Sequence, residues 1–246
     1  MKKNIFFEFS FTDFLIKKCL KTSLLALLFT SFSCTSSDDN PVKTTDTEEN
    51  KESSAKYAVT FNLNWNRDDF PVDYPNGSHF SRIVGWSHKP TSNFINIGTL
   101  ASTGIKNVAE TGSTSQIKVE IEEKIANKEG NEFYEGSSLG SGVGKIEIEV
   151  TVDEDYPSIS LTTMIAPSPD WYVGIINLNL LVKNTFIQDT TLIGKVYDSG
   201  TDDGLTFNAS NKRSTPQQKI YLIKDLPLGD GESVDEKFCT VEIKKL

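Results

Sequence analysis

Three cysteines and two histidines in 246 residues leave little material for thiol or imidazole chemistry. Cys19 lies ahead of an apolar run and Cys34 ends it, so Cys239 stands alone in the body of the chain. A lone cysteine makes no internal disulfide, and the fold must stand on its core. Cys239 sits near the start of the alternating stretch FCTVEI and reads as a small buried hydrophobe. His79 and His88, nine residues apart in SHFSRIVGWSHK, have no zinc spacing. On one continuous strand that odd separation would put them on opposite faces. There is no GxSxG nucleophile elbow. The glycine-rich EGSSLGSGVGK at 135–145 lacks the GK[ST] ending of a phosphate loop, because Lys145 runs into Ile146 and a strand. It reads as a flexible hairpin loop.

Positive charge is also scarce. The chain has 25 basic and 34 acidic residues, and beyond Cys34 the balance is 20 against 32, a net of −12. Such a surface repels phosphate backbones, which excludes nucleic acid as the expected partner, and it suits divalent cations.

The basic residues cluster where an export signal needs them. Lys2, Lys3, Lys17, Lys18 and Lys21 precede SLLALLFTSFS, a run too short to span a bilayer and followed by polar residues. Residues 1–33 therefore read as a signal peptide. Ser31 and Ser33 before Cys34, and CTSSDDN after it, resemble a bacterial lipoprotein signal, in which the cysteine becomes the lipidated first residue. The acids just after Cys34 resemble signals that send lipoproteins to the outer cell surface, so the expected location is the outer membrane, facing outward. Residues 34–55 hold almost nothing to bury and read as an acidic disordered tether, holding a domain about 25 Å from the membrane.

From residue 56 to 246 the texture is one of alternation. Tyr57, Val59, Phe61, Leu63 and Trp65 share one face of a strand. Ile117, Val119 and Ile121 alternate with charged residues, although a short helix is an alternative there. Ile146, Ile148, Val150 and Val152 form another strand face, followed by Ile159, Leu161, Thr163 and Ile165, then Ile176, Leu178, Leu180 and Val182. Late strands are expected near KIYLIK and FCTVEI. Period two with turn residues between runs predicts an all-β fold, an antiparallel β-sandwich of about eight strands.

Two loops carry the chemistry. YDSGTDDGLTF places Asp198, Asp202 and Asp203 close together, with Gly200 and Gly204 allowing tight turns. It is no EF-hand, since no Glu closes it. In MIAPSPDWYVGI, Pro167 and Pro169 remove two backbone donors, so the chain must bend there and can hold Asp170 rigidly. Trp171 is expected to anchor that loop at the sheet's rim. If the two loops meet, carboxylates converge where a hard cation would relieve their repulsion.

The segments YAVTFNLNW (57–65), YPNGSHFSRIVGWSHK (74–89), GTLASTGIKNVAETG (98–112), MIAPSPDWYVGIINLNL (164–180) and YDSGTDDGLTF (197–207) resemble the spondin domain. That module stands at the amino terminus of matrix proteins of the F-spondin and mindin type and also occurs in bacterial proteins. The resemblance implies a sandwich related to calcium-dependent membrane-targeting modules. It further implies a calcium site with Asp170, Asp198 and Asp202 as side-chain ligands. Ser199 is a departure, since the family loop usually begins D-A-G. The thrombospondin-type repeats that accompany the domain in animals are missing from this chain.

The leading expectation is a non-enzymatic, calcium-binding, surface-tethered module for adhesion or ligand binding, meeting an extracellular protein or glycan and touching the membrane only through its lipid. A glycan-binding accessory module would need exposed Trp65, Trp86 or Trp171 as a flat platform. A calcium-dependent hydrolase would need His79 or His88 paired with a carboxylate in a pocket.

Overall fold

The computed structural model describes residues 52–246. The signal segment, Cys34 and most of the expected tether lie outside the described residues. The chain begins with β1 (Ser54–Asn64), β2 (His79–Phe80) and β3 (Val84–His88). Two helices follow, α1 (Thr103–Thr111) and α2 (Ser115–Ala126). Next come β4 (Gly130–Glu135), β5 (Val143–Asp153), β6 (Ser158–Ala166) and β7 (Trp171–Asn179). A small hairpin, β8 (Leu181–Val182) and β9 (Thr185–Phe186), leads to β10 (Asp189–Ile193) and β11 (Lys195–Asp198). The last strands are β12 (Tyr221–Leu222) and β13 (Cys239–Lys245).

These strands form two antiparallel sheets. One has four strands in the order β10-β13-β1-β5; the other has seven, β12-β11-β7-β6-β3-β4, with β2 added on β6. The sandwich predicted from period two is therefore present. Both late strands fall where KIYLIK and FCTVEI placed them.

β1 begins earlier than the expected tether boundary. Ser54 pairs with Asp153, and Ala55, which is buried, pairs with Val152. The long antiparallel register with β5 satisfies these backbone groups and gives Ala55 a place in the core, so the last two residues assigned to the tether belong to the sheet.

The inner faces of the two sheets enclose the main core. Tyr57, Val59, Phe61 and Leu63 of β1 and the following Trp65 meet Ile159, Leu161 and Ile165 of β6 and Val173 of β7. Each such large side chain, fully removed from water, contributes roughly 1.5–3 kcal/mol. Trp65 also lies against Phe80, Phe207 and Phe238, with ring centroids 6.0, 4.8 and 6.4 Å away.

A second core lies on the other face of the seven-stranded sheet. There Ile105, Val108 and Ala109 of α1 and Ile117 and Ile121 of α2 pack with Val84, Trp86, Tyr172 and Tyr197. Ile117, Val119 and Ile121 are thus helical rather than a strand. Ile117 and Ile121 stand four apart and share one helix face, whereas Val119 points outward and is 47% exposed. The helices also explain why β6 is buried along all nine residues, being covered on both faces.

The helix pair is stitched by Glu120 of α2. Its carboxylate accepts the Gly104 amide at 2.7 Å and the Ser102 hydroxyl at 2.6 Å, and Ser102 in turn accepts the Ile105 amide. The N-terminus of α1 is therefore capped by a neighbour's anion as well as by its own serine.

Candidate functional site

The peptide between Ala166 and Pro167 is cis, and the chain turns through 167–170 from β6 into β7. β7 then pairs antiparallel with β11, with Trp171 opposite Asp198. The ladder carries one step further, as the Ser199 amide donates to the Asp170 carbonyl at 3.1 Å. This pairing answers the question left open by the sequence: it sets Asp170 beside the DSGTD loop. Phe207, further along that loop, is buried against Trp65 and Trp171, with the Trp171 ring 5.4 Å away. The loop is thus pinned to the main core at one end and to β7 at the other.

Asp170 is wholly buried. One carboxylate oxygen, Oδ2, accepts from the Thr201 amide at 2.7 Å, the Ser199 hydroxyl at 2.9 Å, the Asp202 amide at 3.1 Å and the Thr201 hydroxyl at 3.2 Å. The other, Oδ1, is buried with no hydrogen-bond partner among the described residues. Asp198, also buried, is held from three sides. Its Oδ1 accepts the Gly200 amide at 2.7 Å, and its Oδ2 accepts the Tyr221 hydroxyl at 2.9 Å and the Trp171 indole N–H at 3.0 Å. Trp171 therefore does more than anchor the loop, since it also fixes a carboxylate.

The electrostatics of the pair are unfavourable as they stand. Burial pushes Asp198 up to about 6, and the nearby negative charge of Asp170 pushes in the same direction. Burial likewise raises Asp170, against the pull of its four donors. The same two charges act on the tyrosines around them. Tyr172 and Tyr221 are raised first by burial, and then in part by Asp198 and Asp170. Among the described residues no ion pair reaches Asp170, Asp198 or Asp202.

Asp202 is buried in the same loop and gives its backbone N–H to Asp170, but its carboxylate faces elsewhere. Oδ1 accepts the Gly204 amide and Oδ2 the Lys212 amide, each at 2.7 Å. The structure accordingly brings together the carboxylates of Asp170 and Asp198 and turns that of Asp202 to its own loop. Among the described residues no group of three His, Cys, Asp or Glu side chains is placed to hold a metal ion. Asp203 lies outside the pair, accepting from the Ser214 hydroxyl at 2.6 Å and lying 3.4 Å from Lys212 Nζ.

Thr201 and Tyr221 were not singled out from sequence, and Ser199 was noted only as a departure from the family loop, not as a partner of the carboxylates. Each spends a hydroxyl on one of the two buried carboxylates, and only the pairing of strands shows it.

The histidines are apart from this site. His88 is buried, stacked on Trp86 with centroids 4.7 Å apart, and hydrogen-bonded to the Ser160 hydroxyl and the Lys89 carbonyl, each at 2.8 Å. Burial holds it below the usual histidine range. His79 is exposed and bonds the Gly77 carbonyl. Neither is hydrogen-bonded to a carboxylate. Trp65, Trp86 and Trp171 are 0, 1 and 4% exposed, so none offers a flat outer platform.

Comparison with known proteins agrees with this architecture. Human Spondin-1 is 34% identical over 182 residues, which cover 70% of this chain and 22% of the relative. Rat Spondin-1 is 33% identical over 181 residues with the same coverage. Human Spondin-2 is 30% identical over 173 residues, covering 69% of this chain and 52% of the relative. The chain thus matches only a fifth to a half of the length of these relatives. The family model described as Spondin_N matches residues 55–234, a span that holds the seven-stranded sheet and every residue of the Asp170–Asp198 site but ends before β13, and the chain belongs to the spondin amino-terminal domain family.

Proposed function

We propose that this protein is a calcium-dependent adhesion module acting outside the cell, held at the outer surface of the cell envelope by lipid on Cys34. The observation that carries the calcium part is the Oδ1 atom of Asp170. A buried carboxylate oxygen without a donor is costly, and a like charge at Asp198 adds to the cost. A hard cation relieves both, and oxygen ligands are what calcium takes. The residues that would hold it are Asp170 and Asp198, joined by Asp202 once its carboxylate turns from the Gly204 and Lys212 amides towards them. Every carboxylate oxygen of Asp202 accepts one N–H and keeps a second lone pair for a metal. Calcium there would supply charge neutralisation and would lock the 167–170 turn to the DSGTD loop.

Family membership supports the adhesion reading, and the partner class we propose is an extracellular protein or glycan. The surface location rests on the export and lipid signal in residues 1–34. No helix among the described residues is long and apolar enough to cross a membrane. A hydrolase has less support, because His88 is sealed in the second core and His79 has no carboxylate partner. A stacking platform for sugars has less support because all three tryptophans are buried.

Calorimetric titration of the full-length protein with calcium, beside an Asp170→Asn, Asp198→Asn double variant, tests the site. Saturable heat in the parent and none in the variant is the expected result. No heat in the parent, or equal heat in both, overturns the calcium assignment.

A further inference from the structure

A cavity of about 240 Å³ opens between α1 and the 213–217 segment, and no Asp or Glu is among the residues that line it. In a chain whose part beyond Cys34 carries a net of −12, a carboxylate-free wall with two cations, Lys106 and Arg213, is an exception.

The two cations are not equivalent. Lys106 is shared with Glu110, whose oxygen is 3.8 Å away. Arg213 has no carboxylate partner among the described residues, although its neighbour Lys212 does. Its backbone is bridged to Asp202, which fixes its place beside the DSGTD loop. The α1 wall opposite Arg213 carries Thr103 and Asn107, and on the side of Arg213 Gln217 is bonded to the Ala101 carbonyl. The Gly104 amide at the start of α1 is already taken by Glu120 and is not free to meet a ligand.

These features define a ligand. An unpaired guanidinium presents a planar fork of donors that matches a carboxylate two bonds at a time. Hydroxyl and amide groups facing it suit a molecule bearing hydroxyls beside its carboxylate. A volume below that of drug-sized pockets limits the occupant to about one ring. We propose that this cavity binds a carboxylate-bearing sugar unit of an acidic glycan, with Arg213 gripping the carboxylate and Thr103 and Asn107 meeting the ring hydroxyls. This names a partner for the adhesion reading and rests on it, but not on calcium. It also differs from stacking on tryptophan, since charge and hydrogen bonds carry it.

The test is titration of the full-length protein with glucuronate, and with glucose at the same concentrations, in calcium and in chelator. Arg213→Ala and Thr103→Val variants run alongside, with calcium titrated separately into each. Arg213 is exposed, so its variant is expected to fold and to bind calcium as the parent does. The expected result is saturable glucuronate binding, no glucose binding, about tenfold or greater weakening in Arg213→Ala, and a smaller loss in Thr103→Val. Equal binding of glucose, retention of glucuronate binding in Arg213→Ala, or binding of inorganic phosphate or an acidic peptide in preference to glucuronate would each overturn it. Loss of calcium binding with glucuronate binding intact would strike the calcium assignment alone.

Discussion

Two of the buried polar clusters, one around His88 and one around Asp170, are treated in opposite ways. In the second core, His88 bonds Ser160 through one ring nitrogen and the Lys89 carbonyl through the other, and Ser160 also accepts the Asn177 amide. Each of those atoms has a partner, and burial keeps the imidazole neutral. At the loop end, two carboxylates are buried beside each other, both raised by burial, and Asp170 Oδ1 has no partner. A satisfied neutral cluster explains itself as structure. A charged, half-satisfied cluster does not, and it is where a ligand is to be sought. The contrast also explains why the histidines mislead as catalytic candidates: the better-placed one is fully used in holding β3 to β6.

Substitution is the direct way to break this contrast. Asp170→Ala is expected to have the largest effect, because it strips two backbone amides and two hydroxyls of their acceptor. The hydroxyls can turn elsewhere but the amides cannot, so a loss of about 4 kcal/mol is expected in urea unfolding. His88→Ala should cost less, about 2 kcal/mol, through lost stacking and an exposed Ser160. The decisive difference is that the His88 variant keeps its response to calcium and the Asp170 variant loses it.

Acidity sharpens the comparison with smaller effects, because the two clusters titrate with opposite sign. The carboxylates are raised in the folded state from an unfolded value of roughly 3.9, Asp198 to about 6. In chelator their contribution to stability is therefore full below pH ~4 and is lost as pH rises to ~6. His88 is depressed, so it costs stability as pH falls below its unfolded value of roughly 6.5. Subtracting the Asp170→Asn curve from the parent cancels the histidine. The difference should show the parent losing stability relative to the variant as pH rises from ~4 to ~7. A flat difference would contradict both the raised Asp170 and its effect on Asp198. Ser160→Ala should have the smallest effect, about 1 kcal/mol, with no change in calcium response.

How much of this was legible in advance follows from how many faces each element buries. β1 buries one face, so Tyr57 to Leu63 alternate and the strand can be read directly. β6 is covered on both faces, and its small polar residues Ser158, Ser160 and Thr162 are as buried as its apolar ones, which no alternation reveals. In α2, Val119 imitates a strand period because an exposed valine falls between two buried isoleucines. The carboxylates of the site were legible as residue types on turn-rich loops. Their partners were not, since Thr201, Ser199 and Tyr221 reach them only through the β7–β11 pairing and the loop that follows. Arg213 left no local signal either, because a bridge to Asp202, not spacing, brings it there.

The central claim is that the buried acidic pair serves to bind calcium rather than as a structural knot, and thermal melting of parent and Asp170→Asn proteins tests it most directly. Asparagine keeps one oxygen for the four donors and puts an N–H₂ where Asp170 Oδ1 has no partner. In chelator the variant should therefore melt no lower than the parent. In calcium at about a hundred times its dissociation constant, the parent should gain roughly 2.7 kcal/mol and so melt several degrees higher, while the variant stays where it was. A parent indifferent to calcium, or a variant that melts well below the parent in chelator, would contradict the account.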